Sequence, residues 1–279
     1  MATVRPPAVA GSFYPARPAE LSALIDRLLE EARQHPAAAR GAAASRTPAG
    51  GHVKALIAPH AGYIYSGPTA AIGYAALDGP CRQVVLLGPC HHVGTPHLAL
   101  PGADFLGTPL GDVPVWAEGA AAARDLPGVI VSPAVHAREH SLEVHLPFIQ
   151  TVLGPDVPVL PLAVGWAEPA VVASVLEAVA ADPETLVVVS SDLSHYLPHA
   201  AARRVDQDTL AQVMALSSEL VSEQACGVHP VNGLNEWSRR AGLRPQLLDY
   251  RNSGDTAGER SAVVGYAAVA YRQGLPDAV

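Results

Sequence analysis

Three of the twelve histidines in this 279-residue chain stand just behind short, unbroken apolar runs. His60 follows VKALIA in Pro59-His60-Ala61-Gly62-Tyr63, and His91 follows VVLLG in Pro89-Cys90-His91-His92. His195 follows TLVVVS in Ser191-Asp192-Leu193-Ser194-His195-Tyr196. Near neutral pH an imidazole is both the commonest metal ligand and the usual proton carrier. One such histidine is ordinarily a hydrogen-bonded loop residue. Three of them behind three runs point to a shared polar pocket suited to a metal ion.

Segment 136–147, HAREHSLEVHLP, adds His136, His140, Glu143 and His145. A helix beginning near Ser141 places His140 at its boundary, with Glu143 three residues on along the same face. The HExxH order of zinc-binding helices is absent, and His140 is expected to edge the pocket. Cys226, in ACGVHPVNGL, precedes a glycine that lets the chain bend and a proline suited to a first helical turn. A small buried hydrophobe and a functional thiol are both open readings of it. Cys81 and Cys90 read as structural, Cys90 lining the site beside His91 without ligating. Tyr63, Tyr65, Trp116, Tyr196 and Trp237 either line the pocket or pack.

The elements that must hold these groups follow from the apolar pattern. Runs at 53–58, 84–88, 158–164 and 185–190 read as buried strands, and 246–251 and 262–271 as two more near the end. Between and around them, helical spacing appears at 18–33, 67–77, 141–153, 168–181, 203–216 and 230–241. Buried strands alternating with helices predict an α/β fold: one domain over 1–279, a mostly parallel sheet with helices on both faces. In such sheets ligands bind outside the carboxyl ends of the strands, where the histidines fall. The Ala/Gly/Ser-rich stretch at about 35–52 reads as a surface loop.

Composition narrows the function. Aromatic residues are 5% and the net charge is −8, which argues against nucleic acid as a partner, since that needs a basic footprint and stacking rings. Three cysteines without CxxC spacing fit free thiols in a reducing cytoplasm. The first residues lack a signal-peptide core, and no run approaches the roughly 20 apolar residues of a membrane span. A cytoplasmic protein without a membrane partner is the expectation.

In sequence order, AGSFYP (10–15), APHAGYIYSG (58–67), LGPCHH (87–92), EHSLEVHLP (139–147), SSDLSHY (190–196) and CGVHP (226–230) resemble the Memo family, protein B of the AmmeMemoRadiSam group. The resemblance runs almost end to end. It implies a fold like that of the class III extradiol dioxygenases, in which two histidines and a carboxylate hold ferrous iron and another histidine moves protons. In the Memo-like pocket a cysteine replaces the carboxylate. Carried over, the metal ligands are His60, His91 and Cys226. His195 is the acid–base residue with Asp192 beside it, and His92, His140, Glu143, Tyr63 and Tyr196 are expected to line the pocket. The family association further implies AMMECR1-like and radical SAM partner proteins, signalling partners, and copper or iron binding.

Two imidazoles and a thiolate leave an open coordination position, the mark of a catalytic site. The soft thiolate tilts preference toward copper or zinc, while Fe(II) remains the ion of the oxygenase chemistry. The leading expectation is a metal-dependent oxidoreductase of extradiol-dioxygenase type acting on a small catechol-like substrate. A non-catalytic metal- or peptide-binding protein and a zinc hydrolase are the alternatives.

Overall fold

A computed structural model of the chain describes residues 2–36 and 52–273; most of the loop expected at 35–52 lies outside the described residues. The described elements begin with β1 (Val4–Arg5), α1 (Pro18–Arg33), β2 (Val53–Ala58), α2 (Tyr63–Ala75) and β3 (Gln83–Pro89). Short pieces follow: β4 (Leu98–Leu100), β5 (Phe105–Thr108), β6 (Gly111–Pro114), α3 (Ala117–Arg124), β7 (Val129–Val131) and α4 (Pro133–His136). A 3-10 turn (Glu143–His145) then leads into α5 (Leu146–Leu153), β8 (Val159–Val164), α6 (Pro169–Val179) and β9 (Thr185–Ser190). The chain continues through β10 (His195–Leu197), α7 (His199–Met214), α8 (Val228–Ala241), β11 (Leu243–Asn252), a second 3-10 turn (Ser253–Asp255) and β12 (Val263–Gln273).

The main sheet has the order β10-β12-β2-β9-β3-β8-β4-β7, with β11 also paired to β12. The expected parallel character is realised in its centre, where β2, β9, β3 and β8 pair in parallel. It reverses at both margins, since β12 runs antiparallel to β2 and β4 antiparallel to β8. The four central strands are the four continuous apolar runs, because a parallel strand covered on both faces has no polar side. Strand alternation sends Leu56, Leu86 and Val188 into one core and Ile57, Leu87 and Val189 into the other. The first core is closed by Leu21 and Ile25 of α1, Ala70 of α2 and Phe148 of α5. The second is closed by Val172 of α6, Leu210 of α7 and Leu234 of α8. Each fully buried leucine or isoleucine contributes about 2 kcal/mol.

Two boundaries differ from the pattern. Helix α2 begins at Tyr63 and runs through Pro68, where Gly67-Pro68 had read as the helix start. The helix expected from Ser141 opens instead as the 3-10 turn Glu143–His145. The strands of three or four residues between Leu98 and Val131 are too short to show a period. Two of them, β5 and β6, form a separate three-stranded sheet with β1, in the order β1-β5-β6.

His136, buried at the end of α4, donates from Nε2 to the Ala99 carbonyl at 2.7 Å. Burial lowers its pKa to about 4. The unfolded chain therefore takes up a proton near pH 6.5 that the folded chain refuses until about pH 4. Stability is expected to fall as pH drops through this window, by about 3 kcal/mol from His136 alone. Chemical denaturation at neutral and acid pH measures it. His136→Leu should shallow the acid slope; a slope no different from wild type would remove His136 as a cause.

Candidate metal centre

The carboxyl ends of β2 and β3 deliver His60 and His91, and the segment before the first 3-10 turn delivers His140. One ligand atom from each of the three lies within 4.8 Å of the others. The His91 and His140 rings stack at 4.6 Å between centroids and 20° between planes, and His60 stands edge-on to both. The three open onto a cavity of about 680 Å³ that Asp192, His195 and Tyr196 also line.

The protons of this cluster can be assigned by counting. Ser190 Oγ has one proton, and it goes to the Ser141 carbonyl at 2.6 Å. His60 Nδ1, 2.6 Å from the same oxygen, must then donate to it, which leaves Nε2 as the free lone pair. Burial, followed by the neighbouring imidazoles, pushes His60 well below its ordinary pKa and keeps the ring neutral. His91 Nδ1 donates to Glu139 Oε1 at 2.8 Å, which likewise turns Nε2 outward. Metal-binding histidines are held in this way, the second nitrogen donating to a fixed acceptor.

Glu139 is 2% exposed and accepts backbone N–H bonds from His91, His140 and Ser141 in addition to the ring. Burial works to raise its pKa, but the His91 hydrogen bond and charge, with the backbone donors, outweigh it and bring the carboxyl down to about 2. Glu139 is thus a permanent anion behind His91. The Glu139 anion and the Ser190 hydroxyl were not legible as site residues. Glu139 binds His91 across 48 residues, a separation no local spacing encodes.

Cys226 reaches the site over Gly227, where a Cβ would come within 2.7 Å of the Ser190 carbonyl and the Ser191 hydroxyl. Its Sγ lies 3.3 Å from His60 Nε2 and accepts from the Asp192 N–H at 3.3 Å. With Nε2 unprotonated, the thiol donates to it. His140, expected only to edge the pocket, joins His60 and His91 as the third member of the mutually close donors, and Cys226, the expected ligand, flanks His60. All three cysteines are free thiols, and burial pushes the Cys90 thiol, packed against the core, up to about 12.

Asp192 is buried and accepts the His60 N–H at 2.8 Å on Oδ1. Burial raises its pKa to about 7, so it exchanges a proton near neutrality. Burial lowers His195, leaving a neutral base on the same cavity. Both expected acid–base residues line the cavity.

Three expected wall residues stand elsewhere. Tyr63 is 3% exposed and donates its hydroxyl to the Val144 carbonyl at 2.6 Å, because α2 starts at this residue and turns the ring inward. Glu143 faces away from the pocket: its carboxylate accepts from Arg5, from the Ala8 and Val9 N–H groups, and from Tyr14 at 2.6 Å. His92 is exposed, its ring 6.2 Å from that of His140, and does not line the cavity. The Glu143 anchor explains the AGSFYP string. It ties residues 5–14 down so that Ser12 and Phe13 wall the cavity, with the Phe13 ring 4.7 Å from His140. Trp237 is core.

A parallel-centred α/β sheet whose strand ends converge histidines on one cavity defines a class of α/β proteins with a strand-edge ligand pocket. Within it, the family model described as Memo-like protein matches residues 5–270, and the chain belongs to the Memo family. A MEMO1 family protein of Ignicoccus hospitalis is 36% identical over 96% of this chain and 98% of its own length. One from Aquifex aeolicus is 35% identical over 96% and 99%. Among solved structures, the uncharacterized Escherichia coli K12 protein JW3007 superposes with a TM-score of 0.50 at 14% identity, covering 77% of this chain and 99% of that one. That likeness concerns the fold, which agrees with the α/β sheet expected of an extradiol-dioxygenase-like protein. Among the described residues, no helix is long and apolar enough to cross a membrane.

Proposed function

We propose that the chain is a metal-dependent oxidoreductase of extradiol-dioxygenase type that acts on a small catechol-like ring. The observation that carries this reading is the pair of fixed imidazoles, His60 and His91, each held through Nδ1 with its Nε2 left for a ligand, at a cavity that also holds the neutral His195. Two histidines and one further donor leave coordination positions open. Cys226 and His140 are the candidates for that donor. A sulfur and a nitrogen bound to one tetrahedral ion at about 2.3 and 2.1 Å stand about 3.5 Å apart, and Cys226 Sγ stands 3.3 Å from His60 Nε2. This supports Cys226 as the ligand beside the two histidines. Imidazole suits iron, copper and zinc alike, and Fe(II) in this position would supply the redox chemistry that joins dioxygen to an aromatic ring.

The chain's own residues do the rest. Phe13 and Tyr266 wall the cavity against the ring. His195, kept neutral by burial, accepts the proton of a ring hydroxyl at an imidazole nitrogen. Asp192 holds the His60 backbone and, with a pKa near 7, serves as a second exchange point. The test is anaerobic reconstitution with Fe(II), then oxygen uptake with a panel of catechols and aminophenols. Uptake lost in His195→Ala is expected; no uptake with any ring ends this reading.

The Cys226–His60 contact also favours a second reading, a Cu(I)-holding protein without turnover, since thiolate and imidazole suit that ion. Competition against a Cu(I) chelator distinguishes it. Tight binding lost in Cys226→Ser, without oxygen uptake, would select it.

A further inference from the structure

The cavity's lining has a charge bias unrelated to the histidine cluster. Among the described residues no lysine or arginine lines it, whereas Asp192 and Glu259 do. Glu259 is exposed at the rim and has no hydrogen-bond or ion-pair partner among the described residues. The adjacent Arg260 is engaged elsewhere, donating to the Gly254 carbonyl and lying 3.9 Å from Asp255. Glu259 is presented by a built turn. Asn252 and Asp255 cap each other's backbone, and the Gly258 N–H donates to the Ser253 carbonyl at 2.7 Å.

A second observation points the same way. Tyr196 lines the same cavity while 76% exposed, with its backbone at φ 57°. A bulky residue held in the left-handed region costs about 1 kcal/mol or more, and here the strain comes without the burial that would offset it. A contact made only when a ligand is present accounts for both. Tyr65, Tyr196 and Tyr266 are all among the lining residues, and aromatic faces attract cations.

We propose that the ring substrate carries a protonated amine, and that Glu259 is the residue that selects it. A ring with a carboxylate or phosphate tail finds no cationic side chain in the wall and meets an unpaired carboxylate at the rim. A ring with an ammonium tail finds that carboxylate and the tyrosine faces. The inference rests on the reading of this cavity as a ring-binding pocket.

The test compares two catechols of opposite tail charge, dopamine and 3,4-dihydroxyphenylacetate, by anaerobic calorimetry at neutral pH and low salt, with oxygen uptake recorded separately. The amine should bind about fivefold tighter, the size expected of exposed charge pairs. The ratio should fall to near one in E259Q and shrink in about 0.5 M salt. Equal affinities, preference for the acid, a ratio unmoved in a folded E259Q protein, or binding of neither ligand would each overturn the proposal. Amine-selective binding without oxygen consumption upholds the selection by Glu259 and removes the oxygenase reading. Oxygen consumption without amine preference does the reverse.

Discussion

Glu139→Gln is expected to weaken metal binding by about ten- to a hundredfold, the usual cost of losing the group that orients a ligand histidine. Glu139 offers both carboxylate oxygens as acceptors, Oε2 to the His91 N–H and Oε1 to the His91 ring, the His140 N–H and the Ser141 N–H. A glutamine has one oxygen and one NH2 group. Either orientation sets that NH2 against a backbone or ring donor, and the His91 ring loses the acceptor that aims Nε2 into the cavity. His140 moves with it, since its backbone hangs on the same carboxylate and its ring stacks on His91. Competition titration against a chelator measures the loss, and a metal-free thermal melt separates it from simple unfolding. Wild-type affinity in a folded Glu139→Gln protein would mean that the His91 ring needs no such support.

The largest stability effect should come from the other buried glutamate. Arg5 and Glu143 form an ion pair with side chains 9% and 1% exposed. Removing one partner of such a pair costs about 3–5 kcal/mol, because the other charge is left buried. Glu143→Ala strands more than Arg5, since it also orphans the Tyr14 hydroxyl and the Ala8 and Val9 N–H groups. About ten degrees of melting temperature is the corresponding loss. The released segment carries Phe13 away from the cavity wall, so limited proteolysis should cut it early. A melting temperature within a degree or two of wild type, with the segment still protected, would show that the anchor holds nothing.

How much of this could be read beforehand depended on the range of the interaction involved. The four central strands and the groups behind them were legible because a doubly covered parallel strand writes itself as one continuous apolar run, and its end marks the binding edge. His60, His91 and His195 follow from that directly, whereas Asp192 and the use of Cys226 came only with the family resemblance. His140 was legible only as an edge residue, because its promotion into the cluster depends on Glu139 folding the chain back onto His91. Glu143 and Tyr63 look like wall residues by proximity in sequence to His140 and His60. The 3-10 turn and the early start of α2 turn them to the opposite side. Glu259 lay in a stretch without period or motif, so only the packed turn from Asn252 reveals that it reaches the pocket.

The account stands on a metal ion held by the two fixed imidazoles at the ends of β2 and β3. Anomalous diffraction from a crystal grown anaerobically with ferrous iron tests this most directly. The predicted result is a single peak bonded to Nε2 of both His60 and His91. A cavity without a peak, or a peak that leaves either nitrogen unbonded, would contradict it.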